Sequence, residues 1–435
     1  MIPKNNPCSI MKKFFLPSTL CILFLFILPS VLLSEEIPEK LQDIAVIQDK
    51  AKAGNADALL LLGNAYFFGK YGLEKDYTLA FSNYRKSAKA GNKAATFNLG
   101  LCYDQGLGIN QDPYEAYICY KEAADAGLPQ ARYNLALILM NGLSSPENPD
   151  RKIARDIKSA SELLAGLVEK DFPPAFAKLA EIHLNGSTGV KDEKKAFSLL
   201  EKGISLGNFE SMKMIADCYY SGTGCEKDEK KMLYWLKMAS DGGNPEALAK
   251  MAYFYENGIF FKQDVRTALG LYEKAASAGL DMAQVKMGDY YMKGAIVEHD
   301  FAKARKWYEI AARRGNGQAM FNLAVLAMEG FGEEKNDSKA AKLFLEASKK
   351  EDVHAQFNLA CFFYQGRGIP VDRTAAFYWF KKAAEQGDMK AQRRLALCYI
   401  DGEGTEKNIE KGLAWLVKAA QNGDKEAIEL LSIQK

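Results

Sequence analysis

The chain has 435 residues, 57 Lys and Arg against 55 Asp and Glu, with 48% hydrophobic and 11% aromatic residues. That composition excludes wholesale disorder and can bury a large core. Leaving out Lys4, Lys12 and Lys13, which stand before or beside a long apolar run, gives 54 basic against 55 acidic residues, so no global basic field draws the chain to nucleic acid or anionic lipid.

In chain order, Lys12 and Lys13 precede an uncharged run of apolar and small residues from Phe14 to Ser34, and Glu35 and Glu36 follow it. This order predicts a secretory signal peptide over residues 1–34 and a periplasmic or secreted protein. The run is also about as long as a membrane-spanning helix, and Leu32 is an unusual residue three before a cut after Ser34. An uncleaved membrane anchor is the alternative, and membrane contact is expected through this segment alone. Residues 35–53 are expected to form an N-terminal capping helix, with Val46 and Ile47 at its bulky positions.

From residue 54 to 422 the chain is periodic. Anchors at Gly54, Gly91, Gly127, Asp171, Gly207, Gly243, Gly279, Gly315, Glu351, Gly387 and Gly423 are spaced by 37, 36 and 44 residues and then by 36 seven times, giving ten complete repeats. Alanine or serine stands four residues after every anchor, Gly, Ala or Ser nine after it, and Gly fifteen after it in all ten complete repeats. Fifteen residues before the next anchor stands Asp76, Asp112, Asp156, Asp192, Asp228, Asp264, Asp300, Asn336, Asp372 or Asn408, a helix N-cap signal. A bulky pair such as Trp235-Leu236 or Trp379-Phe380 comes next, then a small pair and glycine that mark a helix C-terminus. Each repeat therefore reads as helix, Gly-rich turn, helix. The 44-residue repeat places its extra eight residues between its two helices, where a surface loop costs little. Residues 423–435 are expected to cap the C-terminal end, since repeat arrays need atypical ends.

A stretch such as Ala355 to Gly387, AQFNLACFFYQGRGIPVDRTAAFYWFKKAAEQG, resembles the unit of the Sel1-like repeat family, and the resemblance covers residues 39–435. Tetratricopeptide repeats are related, but their period of about 34 does not fit. The resemblance implies an all-α fold, a right-handed α-solenoid of about ten helix-turn-helix repeats, used to organise protein complexes. The repeat at Gly127 departs from the family pattern in its loop.

On a helical wheel, positions 4, 8, 11, 12 and 15 after the anchor form the core side of the first helix, and positions 3, 7, 10 and 14 lie on or beside the opposite face. In a helix-pair solenoid that face lines the concave surface. Its seventh positions are Leu61, Asn98, Asn134, Lys178, Met214, Lys250, Lys286, Asn322, Asn358 and Arg394, and the polar ones are the candidate partner-binding residues. An amide there can donate to and accept from an extended peptide, or it can hydrogen-bond a neighbouring helix. Aromatic residues at position 6, Phe97, Tyr133, Phe321 and Phe357, suggest two apolar sub-grooves flanking a more polar centre, or packing on an adjacent repeat.

No catalytic constellation is read. The three histidines, His183, His299 and His354, are scattered, and the repeated GxG strings lack a dinucleotide fingerprint's third glycine. No cofactor and no metal are expected. Cys102 with Cys119 and Cys218 with Cys225 are candidate disulfides if the chain is exported, and buried free thiols are the alternative. The expected function is a non-enzymatic, exported scaffold or adaptor that binds a protein or peptide partner on the concave face, in signalling, envelope assembly or host interaction. The alternative is a cell-wall-active hydrolase with its site on that face. The sequence leaves the oligomeric state open.

Overall fold

The computed structural model describes residues 44–144, 151–294 and 296–433, so the apolar run of the signal segment lies outside the described residues. They divide into two compact halves, up to Ala247 and from Leu248. In the first half, α1 (Ile44–Lys52) is followed by five helix pairs: α2 (Ala56–Phe68) with α3 (Tyr77–Lys89), α4 (Lys93–Gln105) with α5 (Pro113–Asp125), α6 (Pro129–Asn141) with α7 (Ile157–Val168), α8 (Pro173–Asn185) with α9 (Glu193–Ser205), and α10 (Phe209–Ser221) with α11 (Glu229–Asp241). The boundary between the halves falls inside α12 (Pro245–Asn257), which pairs with α13 (Val265–Ser277). The second half continues with α14 (Asp281–Lys293) and α15 (Phe301–Arg313), α16 (Gly317–Glu329) and α17 (Asp337–Lys349), α18 (Val353–Gln365) and α19 (Arg373–Glu385), α20 (Met389–Asp401) and α21 (Ile409–Gln421), and ends on α22 (Lys425–Ile433). Each half is an all-α solenoid of stacked helix pairs.

Local chemistry sets the helix ends. All ten second helices begin at the expected Asp or Asn, whose side-chain oxygen accepts a first-turn backbone N–H. Each cap satisfies a donor that the helix itself leaves free, worth about 1 kcal/mol. Most first helices are capped likewise, by Asn92 or Asp352 for example. The first helices of three repeats, beginning after Leu128, Phe172 and Leu280, have no side-chain cap, and two of these carry proline in the first turn. The glycine after each first helix takes positive φ, which ends the helix without a Cβ clash.

The second glycine of the GxG turns has a different task. Gly108, Gly224, Gly332, Gly368 and Gly404 lie against the first helical residue of the second helix in the preceding repeat: Tyr77, Glu193, Phe301, Asp337 and Arg373. A Cβ at Gly368 would overlap the Asp337 carbonyl, so the turn can rest on the preceding repeat only because the side chain is missing. The long repeat reaches the same place by other means. Its insertion forms a two-stranded hairpin, β1 (Leu143–Ser144) with β2 (Lys152–Ile153), and Arg151 beside it bridges Asp112 at 2.6 Å and Glu115 at 3.2 Å, the cap and first turn of α5.

Fourth-position residues such as Ala95, Ala131 and Ser211 pack on the second helix of the preceding repeat, while inside each repeat a small residue at the ninth position lets the two helices approach. Glycine and tyrosine are paired across that contact. A Cβ on Gly63 would stand 2.6 Å from the Tyr84 ring, one on Gly100 would stand 2.8 Å from Tyr120, and Gly288 faces Tyr308 in the same way. Where the ninth residue is buried alanine, as at Ala216 and Ala360, the facing side chain is a shorter Leu236 or a Phe380 without a hydroxyl. Tyr272, facing Ala252, is the exception.

Candidate functional site: the first-helix face

The glycine gaps let tyrosine hydroxyls pass through the helix pair to the face expected to bind a partner. Tyr84 donates to Asn64 Oδ1 at 2.9 Å, Tyr120 to Asp104 Oδ2 at 3.4 Å and Tyr308 to Asp289 Oδ1 at 2.7 Å. Tyr272 donates to Glu256 Oε2 at 3.3 Å. The acceptors stand at position 10 or 13 of the first helix, and the next repeat's position-7 residue completes each cluster. Asn98 Nδ2 donates to Asn64 Oδ1 at 3.3 Å, Asn322 Nδ2 to Asp289 Oδ1 at 3.2 Å and Lys286 Nζ to Glu256 at 2.8 Å, and the Asn134 side chain hydrogen-bonds Tyr120. Burial first, and then neighbouring carboxylates or thiols, raise the pKa of all four phenols, so each remains a donor. Burial also pushes the Asp104 carboxyl up to about 6, although the Tyr120 hydrogen bond pulls the other way, and it raises Asp289.

These four clusters are locks between successive repeats, and they use four of the eight polar residues that the sequence offered for partner binding. The division follows the preceding repeat's second helix. Asn98, Asn134, Lys286 and Asn322 each follow a repeat with tyrosine in the facing position. Lys178, Lys250, Asn358 and Arg394 follow repeats with Leu164, Leu236, Phe344 and Phe380 there, which have no hydroxyl to bring through. Asn358 donates to the His354 carbonyl of its own helix, and exposed Arg394 has no hydrogen bond or ion pair among the described residues.

Lys178 sits in a charged cluster of the first half. It pairs with Glu181 at 2.9 Å, Lys213 with Asp217 at 3.6 Å, and Asn244 donates to Glu210 at 2.8 Å. Burial alone would lower the two ammonium groups. Glu181, Tyr133 and Glu210 around Lys178, and Glu210, Asp217 and Glu246 around Lys213, more than offset it and hold both above their ordinary value. The Glu246 carboxyl is raised, by burial first and then by Glu210.

The expected apolar sub-groove at Phe97 and Tyr133 is not formed. Both rings are buried in core clusters, Phe97 5.7 Å from Tyr120 and Tyr133 5.8 Å from Phe172. Phe321 and Phe357 are half-buried against Phe344 and Phe380. Cys102 and Cys119 share one core cluster, Cys218 and Cys225 another, and all four stand as free thiols. Burial pushes Cys102, Cys119 and Cys218 up to about 12, so they stay protonated. Among the described residues no group of His, Cys, Asp and Glu is placed to hold a metal, and no helix is long and apolar enough to cross a membrane. His183 lies on α8, His299 ahead of α15 and His354 on α18, and none is hydrogen-bonded to a serine, cysteine or carboxylate among the described residues.

Stacked helix pairs, locked repeat to repeat through one face of their first helices, define a helical-repeat scaffold. The Sel1 repeat family model matches ten times, at residues 56–92, 93–128, 129–155, 173–208, 209–244, 245–280, 281–316, 317–352, 353–388 and 390–424, and the chain belongs to that family. Among curated proteins, protein sel-1 homolog 2 of Homo sapiens is 39% identical over 77 residues, 17% of this chain and 11% of that protein. The ERAD-associated E3 ubiquitin-protein ligase component HRD3A of Arabidopsis thaliana is 37% identical over 62 residues, 14% and 9% of the two chains. The chain thus spans only about a tenth of these relatives. Among solved structures, c5321, described as a protective antigen of uropathogenic Escherichia coli, aligns over 91% of this chain and 94% of its own at 28% identity and a TM-score of 0.52. A Sel1 repeat protein from Oxalobacter formigenes covers 56% of this chain and 99% of its own at 27% identity and a TM-score of 0.51.

Proposed function

We propose that the chain is an exported interaction scaffold that holds a protein or peptide partner on the first-helix face of its repeats. The observation that carries this reading is the division of that face. Four rungs are tied into repeat-to-repeat locks, whereas Asn358 and Arg394 stand outside any lock, with polar groups that packing does not require. The uncharged apolar run from Phe14 to Ser34, preceded by Lys12 and Lys13, supports export to the periplasm or beyond, by cleavage near Ser34 or with the run retained as an anchor. Likeness to a protective antigen supports a place at the envelope or in host contact, and likeness to a ubiquitin-ligase component supports a role in assembling a complex.

The test is site-specific photo-crosslinking in the native cell, with the reactive residue at Asn358 on α18 or at Tyr378, half-exposed on the second helix α19. The reading predicts a discrete partner adduct at position 358 and none at 378. Adducts confined to 378 would contradict it.

A further inference from the structure

The first-helix face of the second half changes character along its length, and the end that is not locked shows what chemistry would recognise it. From α14 to α20 the third and seventh positions carry no carboxylate. The cations among them have different surroundings. Lys286 is neutralised by Glu256, but Lys390 and Arg394 on α20 are exposed and have no ion pair among the described residues. The adjacent Arg393 marks the contrast, since it is bound to Asp424 at 2.9 Å and Glu426 at 2.6 Å in the last helix. Two neighbouring arginines thus have different roles, one fastening α22 and one facing outward.

Lys390 and Arg394 are one helical turn apart on one side of α20, roughly 6 Å between their Cβ atoms. Next to them along the stripe lie Leu397 and, on α18, Cys361, both half-buried and apolar. Arg394 is near enough to act electrostatically on the Cys361 thiol of α18. Asn358, one turn before Cys361, has its amide nitrogen engaged by the His354 carbonyl, and its own carbonyl oxygen accepts nothing among the described residues. The stripe therefore offers a planar, always-charged donor fork, a second cation, a small apolar step and a free acceptor for a backbone N–H.

We propose that the α18–α20 stripe docks an extended peptide segment whose Asp or Glu side chain pairs with Arg394 and Lys390, with a neighbouring apolar side chain on Cys361 and Leu397. This rests on the scaffold reading above and names the class of its partner. Charge complementarity decides the occupant. A carboxylate can take two parallel hydrogen bonds from a guanidinium, and a basic segment would meet two uncompensated cations.

The test selects a displayed library of random twelve-residue peptides on the immobilised full-length chain and on its K390E/R394E variant, which alters only exposed side chains. Helical content by circular dichroism confirms that the variant is folded. The expected result is enrichment of Asp or Glu beside an apolar residue on the natural chain, and a switch to Lys or Arg on the variant. Enriched clones from the natural chain should bind the variant at least tenfold more weakly. Neutral or basic clones on the natural chain, acidic clones kept by the variant, or no enrichment at all would each overturn the proposal. So would tighter binding of a single-stranded oligonucleotide than of any enriched peptide, lost in the same variant. A partner crosslinked at position 358 would in each case still leave the broader scaffold reading standing.

Discussion

At the scale of single residues, one carboxylate ties stability to pH. Asp104 ionises at about 6 in the fold because it is buried beside Tyr120, against about 3.9 for an aspartate in an unfolded chain. Between those values the folded state holds the extra proton, so this group's contribution to stability falls as pH rises through the window and is greatest below about 4. Asp104→Asn should therefore stabilise the first half at pH 7 by on the order of 1 kcal/mol and give no gain at pH 4, measured by urea unfolding at the two values. Glycines give a second test. Gly387 and Gly368 both have positive φ, but a Cβ at Gly387 meets nothing within 4 Å, whereas at Gly368 it overlaps the Asp337 backbone. Alanine at 387 should cost about 1 kcal/mol from backbone strain alone, and at 368 at least about 2 kcal/mol more, read from unfolding midpoints. Conversely, Glu351 occupies a glycine anchor with φ of 62°, so Glu351→Gly should stabilise the second half by about 1 kcal/mol.

At the scale of elements, the helix boundaries were legible because their signals are local: an Asp or Asn cap lies two or three residues from the N–H it accepts, and a C-terminal glycine ends its own helix. The locks were not. A lock joins a tyrosine on the second helix of one repeat, an acceptor on that repeat's first helix and a side chain on the next, as with Tyr308, Asp289 and Asn322. The signal that could have found them is a correlation. Glycine nine residues after the anchor coincides with tyrosine seven before the next anchor in the repeats of Tyr84, Tyr120 and Tyr308, and an amide or carboxylate follows at position 10 or 13. Reading the seventh positions one helix at a time placed Asn322 and Asn358 in one class, although their predecessors, Tyr308 and Phe344, separate them. The glycine–tyrosine fit makes its own prediction. Gly288→Ala should destabilise the second half by about 2 kcal/mol or more, because the new Cβ meets the Tyr308 ring. Adding Tyr308→Leu, which restores the Ala-with-Leu pairing of other repeats, should recover part of that loss in a double-mutant cycle.

At the scale of the whole molecule, the near balance of charge hides an uneven distribution. The first half gathers Lys178 and Lys213 among Glu181, Glu210, Asp217 and Glu246, so these two cations are half-buried and compensated. In the second half, Lys390 and Arg394 face solvent. Composition could exclude a global basic field but could not show which cations are neutralised, because that depends on contacts across repeats. The central claim is that one ladder of equivalent positions has two tasks, locking repeats where a tyrosine hydroxyl arrives and, at Asn358 and Arg394, standing outside any lock on the face proposed to bind a partner. Asn322 and Asn358 test it most directly, since both are position-7 asparagines in the same half and the same unfolding transition reports on both. In urea unfolding, Asn322→Ala should lower stability by about 1 kcal/mol through loss of its bond to Asp289, while Asn358→Ala should stay within about 0.5 kcal/mol of the natural chain. Equal losses, or a larger loss at Asn358, would contradict the account.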